Sequence, residues 1–201
     1  MAPMLTLADI ERNPNTITEV VTLPDGLRII LRALRPDDAP LLGAFFIGLP
    51  EDTRSRFAPH PFTMEEAEKL CSQINCRQTI RIVGVIDSDG EPRIIAYFIF
   101  MPGFGEHEQK RYHERGMPLA PATDCSVAPC LADDFQNRGL GSVLMGKVLL
   151  IAKRLGYKRA LLIGGVIATN LRAVHFYSKL GFRRVGTFST GIENYDMIMD
   201  L

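Results

Sequence analysis

Gln136-Asn137-Arg138-Gly139-Leu140-Gly141 is a Gln-x-x-Gly-x-Gly run that joins a predicted strand, residues 124–132, to a predicted helix, residues 142–155. Glycine lacks a Cβ, so the backbone can turn sharply in this run and leave its N–H groups uncovered. The helix that follows adds the positive end of its dipole to those N–H groups. The run is therefore predicted to hold an anion such as a pyrophosphate.

The helix after the glycine run has a regular apolar face. Leu144, Val148, Ile151 and Leu155 stand at i, i+4, i+7 and i+11, and Gly156 predicts its end. Two nucleotide-binding patterns overlap the run, and both fail. Leu144 occupies the third glycine position of a dinucleotide fingerprint, and Val148 stands where a P-loop needs Ser or Thr to reach magnesium.

A second patterned segment spans residues 170–182 and reads Asn-Leu-Arg-Ala-Val-His-Phe-Tyr-Ser-Lys-Leu-Gly-Phe. Thr169 or Asn170 suits the N-cap of a helix that Gly181 ends. The pattern predicts an amphipathic helix whose apolar stripe consists of Ala173, Phe176, Tyr177 and Leu180.

The rest of the chain alternates between strand and helix signals. In chain order these are a hairpin at 20–34, helices at 35–49, 51–57 and 63–74, strands at 79–87, 93–101 and 158–166, and closing strands at 183–187 and 195–201. Residues 102–122 are rich in Gly, Pro and charge, and they predict a long loop of the kind that often forms a functional lid. We expect residues 1–18 to be an N-terminal extension, loosely held over residues 1–15, and residues 19–201 to be a single domain.

The overall composition is that of an ordinary globular protein. Lys plus Arg and Asp plus Glu both number 23, so a nucleic-acid partner, which favours a basic face, is not expected. No apolar run approaches the roughly 20 residues of a membrane helix. Asp9, Glu11 and Arg12 do not suit a signal peptide, so we expect a cytoplasmic protein without a membrane partner.

The cysteine pattern does not favour a metal site. Cys71 and Cys76, and likewise Cys125 and Cys130, are five residues apart, whereas zinc knuckles use gaps of about two to four residues. On a regular helix or strand, neither pair would face one point. We expect reduced, partly buried thiols and no bound metal.

Together, the segment from Leu131 to Gly141 and the segment 170–182 resemble the coenzyme-A site of the GCN5-related N-acetyltransferase (GNAT) superfamily. The resemblance extends over about residues 19–201 and is closest to the acetyltransferase domains of bacterial protein-lysine acetyltransferases. It implies an α/β (α+β) fold: a mixed, mostly antiparallel sheet flanked by helices and splayed beside the acetyl-CoA-binding strand. It also implies acetyl-CoA as the co-substrate and an amine as the acceptor. It is compatible with a homodimer.

The resemblance assigns roles to individual residues. Backbone amides from Arg138 to Ser142 would bind the pyrophosphate, backbone groups of residues 130–132 would pair with the pantetheine arm, and Asn170 would hydrogen-bond that arm. The cofactor-binding residues that it implies are Cys130, Leu131, Ala132, Gln136, Asn137, Arg138, Gly139, Leu140, Gly141, Ser142, Asn170 and Phe176.

The predicted chemistry is direct attack of an amine on the thioester, followed by protonation of the leaving thiolate. The resemblance makes Tyr177 the acid, with packing on the apolar stripe as the alternative. Ser126 stands where many family members carry a glutamate base, and Asp124 lies two residues back on the same strand face. Asp124 is the candidate base, and the alternative is an aspartate that caps the preceding loop.

Two other functions stay open at this point. One is transfer of a longer acyl group from its coenzyme-A ester. The other is a non-catalytic module that binds acetyl-CoA or CoA and regulates a partner. The sequence does not identify the acceptor, because acceptor specificity resides in segments that vary among proteins of one fold.

Overall fold

The computed structural model describes residues 5–57, 59–88 and 90–201. Its helices are α1 (Leu7–Arg12), α2 (Ala39–Gly48), α3 (Glu51–Arg56), α4 (Met64–Ser72), α5 (Glu106–Glu114), α6 (Leu140–Arg154) and α7 (Leu171–Lys179). Its strands are β1 (Glu19–Thr22), β2 (Arg28–Ala33), β3 (Ile80–Ser88), β4 (Glu91–Met101), β5 (Asp124–Leu131), β6 (Arg159–Leu162), β7 (Val166–Ile167), β8 (Arg183–Ser189) and β9 (Glu193–Asp200).

The chain forms two compact units, and the first consists of Thr6–Ile99 and Pro129–Met145. Strands β1, β2, β3 and β4 follow one another in its sheet, and β2 is antiparallel to both β1 and β3. The start of α6 packs on this sheet: a Cβ added to Gly84 of β3 would lie 3.4 Å from Leu144 and 3.1 Å from Ala96. The missing side chain at Gly84 therefore lets α6 approach the strands closely.

An aromatic cluster in the first unit joins α2, β4 and the segment before α4. Phe46 of α2 contacts His60, Phe62 and Tyr97 with ring centroids 5.1 to 5.5 Å apart. Tyr97 is fully buried, and its hydroxyl lies 3.1 Å from His60 Nε2 and accepts from Arg81 Nε at 3.2 Å. These bonds satisfy the one polar atom that Tyr97 brings into the core.

The second unit consists of Phe100–Ala128 and Gly146–Leu201, together with Leu5. Its strand order is β5, β6, β9 and β7, with β8 on β9. The β5–β6 pair is parallel, and the pairs that β9 makes with β6, β7 and β8 are antiparallel. The chain is thus the predicted mixed α/β fold with a largely antiparallel, open sheet flanked by helices.

Three local predictions were wrong. The predicted loop at 102–122 contains α5, which charged contacts and the buried Tyr112 hold against β9, and a bond from Arg115 to the carbonyl of Thr187 holds against β8. The predicted strand at 158–166 is interrupted, because Gly164 and Gly165 adopt φ of +67° and +71° and end the ladder. The segment predicted to be loosely held, residues 1–15, is packed over its described part, since α1 and the turn after it bury Ile10 and Ile17 completely. Residues 1–4 lie outside the described residues.

Within the described residues, no helix has the length and apolar character needed to cross a bilayer. All four cysteines are free and buried.

Candidate functional site

The glycine run forms a tight turn that leads directly into α6. Asn137 and Gly139 have φ of +61° and +76°, the left-handed region that Asn tolerates and Gly enters without a steric cost. The carbonyl of Gly139 accepts hydrogen bonds from the N–H groups of Ser142 and Val143 at 3.1 and 3.3 Å. In the described part of the chain, no backbone carbonyl accepts from the N–H groups of residues 138–141, so these donors are available to an anion.

The turn is held in place by side chains that precede it. Gln136 Nε2 donates to the carbonyl of Leu131 at 3.0 Å and closes the short 3-10 turn Asp133–Phe135. This bond gives Gln136 a structural role at the turn, whereas the resemblance had placed it among the cofactor-binding residues.

The two acidic residues before the turn are bound to neighbours in the same unit. Asp133 accepts from the hydroxyl of Thr53 at 3.0 Å, and Asp134 pairs with Arg93 at 2.8 Å. The guanidinium groups of Arg93 and Arg138 lie 5.4 and 5.6 Å from the ring centre of Phe135. The negative charge ahead of the turn is therefore partly neutralised, which favours an anionic ligand.

Strand β5 continues beyond its partner. Its parallel ladder with β6 runs from Asp124 to Val127, but the strand itself ends at Leu131. Pro129 has no N–H to donate to a ladder. A strand segment without a parallel neighbour is what an extended ligand needs in order to pair with backbone groups.

Cys130 lies on this segment, and its thiol is buried. Burial raises the pKa of Cys130 to about 12, so the thiol stays protonated and un-nucleophilic at neutral pH. The side chain packs as a small apolar group, and only the backbone of this residue is suited to a ligand.

Tyr177 is positioned by the end of α7. Gly181 adopts φ of +102°, its N–H donates to Ser178, and the N–H of Phe182 donates to the carbonyl of Tyr177, both at 3.0 Å. This is a Schellman ending, in which the residue after the glycine contacts the last turn of the helix. Accordingly, the rings of Phe182 and Tyr177 lie 5.6 Å apart, and Phe182 is almost fully buried.

Asn170 starts the same helix. Its side-chain oxygen accepts from the N–H of Ala173 at 3.2 Å, so the carbonyl side of the amide is used for capping. The amide NH₂ group is the part suited to a ligand. Phe176 is half-buried beside Tyr177, with ring centroids 5.1 Å apart, and His175 is exposed.

The candidate base Asp124 is fully buried and bound on both oxygens. Arg159 donates Nε to Oδ1 at 2.7 Å and a terminal nitrogen to Oδ2 at 2.5 Å, while the N–H of Ala120 donates to Oδ2 at 2.7 Å. These contacts favour the alternative in which Asp124 caps the preceding loop. Ser126, the other candidate, is buried, and its hydroxyl donates to the carbonyl of Gly103 at 2.8 Å.

Sequence reasoning missed two residues of this unit. Arg159 pairs with Asp124 because the parallel register places the two directly opposite each other on β5 and β6. Glu108 on α5 accepts from the N–H of Gly164 at 3.3 Å, just beyond the end of β6. The only sequence signal for the Asp124–Arg159 pair was an Asp and an Arg near the starts of two predicted strands. Glu108 was missed because residues 102–122 were predicted to be a loop.

Comparisons by sequence and by structure both find acetyltransferases. An acetyltransferase of Pseudomonas aeruginosa is 28% identical over 144 residues, which cover 70% of this chain and 68% of that protein. The GNAT domain of the S. lividans protein PAT superposes with a TM-score of 0.72 at 20% identity, covering 94% of this chain and 99% of that one.

Two further structures share the fold. The ribosomal-protein-S5-alanine acetyltransferase of Vibrio fischeri has a TM-score of 0.69 at 13% identity, over 90% of this chain and 96% of that one. AAC(6')-Ib, solved with paromomycin and acetyl-CoA, has a TM-score of 0.62 at 18% identity, over 86% and 93% of the two chains. The family model described as "Acetyltransferase (GNAT) family" matches residues 51–182, and the chain therefore belongs to this family of acetyltransferases.

Proposed function

We propose that this protein transfers the acetyl group of acetyl-CoA to a primary amine by direct attack in a ternary complex. The observation that carries the proposal is the turn before α6, where the N–H groups of residues 138–141 have no backbone acceptor in the described structure and stand at a helix N-terminus. Such a turn is built to bind a phosphate group. Family membership makes the pyrophosphate of acetyl-CoA the natural ligand.

The binding roles follow from the individual residues. Residues 138–141 hold the pyrophosphate through backbone N–H groups, whereas the N–H of Ser142, which the resemblance had included, donates to the carbonyl of Gly139. The exposed Arg138 adds a positive charge. Residues 130–132 offer backbone groups to the pantetheine arm. Asn170 contributes its amide NH₂, and Phe176 supplies an apolar surface.

The chemical roles are simpler. The amine attacks the thioester carbonyl, and the departing thiolate needs a proton, which Tyr177 donates from its phenol. No covalent enzyme intermediate is needed, and the protonated thiol of Cys130 is not a competing nucleophile. We assign Asp124 to holding Arg159 and the loop before β5, so the proton acceptor for the amine lies elsewhere.

The acceptor class remains broad in this proposal. AAC(6')-Ib was solved with an aminoglycoside, and the Vibrio fischeri enzyme is named for an alanine of a ribosomal protein, so the shared fold serves both small and protein amines. A protein lysine, a protein N-terminus and a small-molecule amine all meet the chemical requirement of this site.

The test is turnover against a panel of amines, followed as release of the CoA thiol. We expect at least one amine class to be acetylated, and Tyr177→Phe to lower kcat by about 100-fold because the thiolate loses its acid. Ser178→Ala, the exposed neighbour on α7, is the matched control and should keep wild-type turnover. Binding of acetyl-CoA with no turnover for any amine would favour the regulatory module, and preference for a longer acyl-CoA would favour the other alternative.

A further inference from the structure

An amine acceptor has to lose a proton before it can attack the thioester. A lysine-like amine has a pKa of about 10.4 and is protonated at neutral pH. Asp124 is bound to Arg159 on both oxygens, and the hydroxyl of Ser126 donates to a backbone carbonyl. Neither residue is therefore suited to accept the proton, and another group is required.

We propose that Glu108 on α5 is the carboxylate that binds the acceptor amine and takes its proton. This inference rests on the proposed function. The carboxylate lies just past the last rung of the β5–β6 ladder: Val127 pairs with Leu162, Ile163 N–H donates to Val127 at 3.0 Å, and the next N–H, that of Gly164, donates to Glu108 Oε1 at 3.3 Å. Beyond this point β5 runs on without its parallel partner.

The backbone at Gly105 lies close to the Glu108 carboxylate. A Cβ added to Gly105 would lie 2.5 Å from Glu108 Oε2, so a larger residue at position 105 would displace the carboxylate. The same segment begins at Gly103, whose carbonyl accepts from the buried Ser126 hydroxyl. Glu108 thus lies on the segment that follows Gly103, and Gly103 contacts the strand position where the resemblance had expected a base.

The two oxygens of the Glu108 carboxylate differ in their contacts. The hydrogen bonds from Gly164 and from a terminal nitrogen of Arg111, at 3.2 Å, both end on Oε1. The side chain keeps 13% of its surface exposed, so the carboxylate is largely but not completely shielded from water. A fixed, partly desolvated carboxylate is suited to an ammonium group.

Other carboxylates of the second unit are less suitable. Asp196 is buried under Arg111 and Arg115, and both of its oxygens accept from them. The remaining acidic residues on α5 and at the start of β9 are exposed to solvent: Glu106, Glu114 and Glu193.

The proton balance of the reaction is complete with Glu108. The ammonium acceptor gives one proton to Oε2, directly or through one water, and the nitrogen lone pair forms the C–N bond at the thioester carbonyl. The C–S bond then breaks, its electron pair goes to sulfur, and the Tyr177 phenol protonates the thiolate. The second nitrogen proton restores the phenol, and Glu108 releases the first to solvent.

Three variants separate this role from a structural one. Glu108→Gln keeps an oxygen for Gly164 and Arg111 but cannot take a proton, whereas Glu108→Asp keeps the carboxylate but shortens its reach. Glu114→Gln, in the last turn of the same helix, removes an equal charge from an exposed position. For each protein we would measure the thermal shift with acetyl-CoA and kcat/KM for the best amine between pH 6.5 and 10.

With Glu108 as the proton acceptor, Glu108→Gln should lower kcat/KM at least about 100-fold at pH 7, and Glu108→Asp should retain more activity than the Gln variant. The loss should shrink toward pH 10, where the amine deprotonates in solution. The charged and titratable groups around Glu108 are Arg111 and Tyr112 of α5 and Asp196 of β9, and all three variants leave them in place.

The opposite pattern would overturn the inference. If Glu108→Gln matched wild type at every pH while Glu108→Asp lost stability, Glu108 would only support the backbone at Gly164. Wild-type turnover and the thermal shift of wild type with acetyl-CoA are measured in the same experiment. If only this inference fails, both are still observed. Absence of wild-type turnover with every amine would remove the proposed function and this inference together.

Discussion

The ion pair between Asp124 and Arg159 gives a sharp prediction about stability. The side chain of Asp124 has no exposed surface, and Arg159 supplies two of its three described hydrogen bonds, at 2.7 and 2.5 Å. Arg159→Met keeps the apolar stem and removes the charge. Asp124 would then be a buried carboxylate bound only by the N–H of Ala120.

The expected cost follows from the burial of the two partners. Breaking a buried pair typically costs about 3–5 kcal/mol, because the remaining charge is uncompensated. The Arg159 side chain is 25% exposed, so water can replace part of the loss, and we expect about 3 kcal/mol, near the lower limit of that range. For a chain of this size, that corresponds to a fall in Tm of about 6–12 °C.

The assay is thermal and urea unfolding of Arg159→Met beside a matched surface variant. Arg77→Met breaks the exposed pair with Glu11 and should change stability by about 0–1 kcal/mol. Asp124→Asn combined with Arg159→Met should recover part of the loss, since no buried charge remains. Equal Tm values for Arg159→Met and Arg77→Met would refute the reasoning, and a large loss of turnover in a stably folded Asp124→Asn variant would return Asp124 to the catalytic role.

Three further predictions concern single residues. Phe182→Ala should lower the free energy of unfolding by about 3 kcal/mol and also lower kcat, because it removes the ring that positions Tyr177; chemical denaturation and turnover check both, and an unchanged kcat would contradict the positioning. Burial lowers the pKa of His60, so the unfolded chain binds a proton near pH 6.5 that the folded chain resists. Stability should therefore fall as the pH drops from 7.5 to 5.5, and urea unfolding should show a smaller fall for His60→Phe; an equal fall in both proteins would exclude His60 as the cause. Burial raises the pKa of Cys125 and Cys130 to about 12, so thiol reagents at pH 8 should modify them only after unfolding, and rapid labelling of the native protein would contradict their burial.

Local sequence patterns predicted the parts of the structure that depend on local physics. Gly139 and Gly181 stand where the backbone needs positive φ, and the turn before α6 and the end of α7 form where these residues indicated. The apolar period of α6 also predicted its buried face, since Leu144, Val148 and Ile151 are almost completely buried.

The incorrect or missing parts depend on distant contacts. The contact of Asp124 with Arg159 requires the register between β5 and β6, which no local signal specifies. Helix α5 is polar, and its place depends on ion pairs from Arg111 and Arg115 to Asp196 on β9. A polar helix without its own apolar stripe resembles a loop in sequence, so both α5 and the position of Glu108 were hidden.

The interruption after β6 has a related cause. Val166 and Ile167 continue the apolar run of β6 in sequence, and a buried strand was therefore the natural prediction. Gly164 and Gly165 were the available signal for a break, because two adjacent glycines can both adopt positive φ. A Cβ at Gly165 would lie 2.7 Å from the carbonyl of Tyr195, so close packing against β9 also requires glycine there.

The most direct measurement of the central claim is calorimetric titration of acetyl-CoA into wild type and Gly141→Glu. Gly141 is in the first turn of α6, where an acidic residue suits the helix dipole but repels a phosphate. Leu150→Glu, on the exposed side of the same helix, makes the same charge change away from the turn. We predict one site of similar affinity in wild type and Leu150→Glu, and at least about a tenfold weaker site, 1.4 kcal/mol, in Gly141→Glu. Equal affinity in all three proteins, or no binding by folded wild type, would contradict the claim that the glycine turn holds the pyrophosphate.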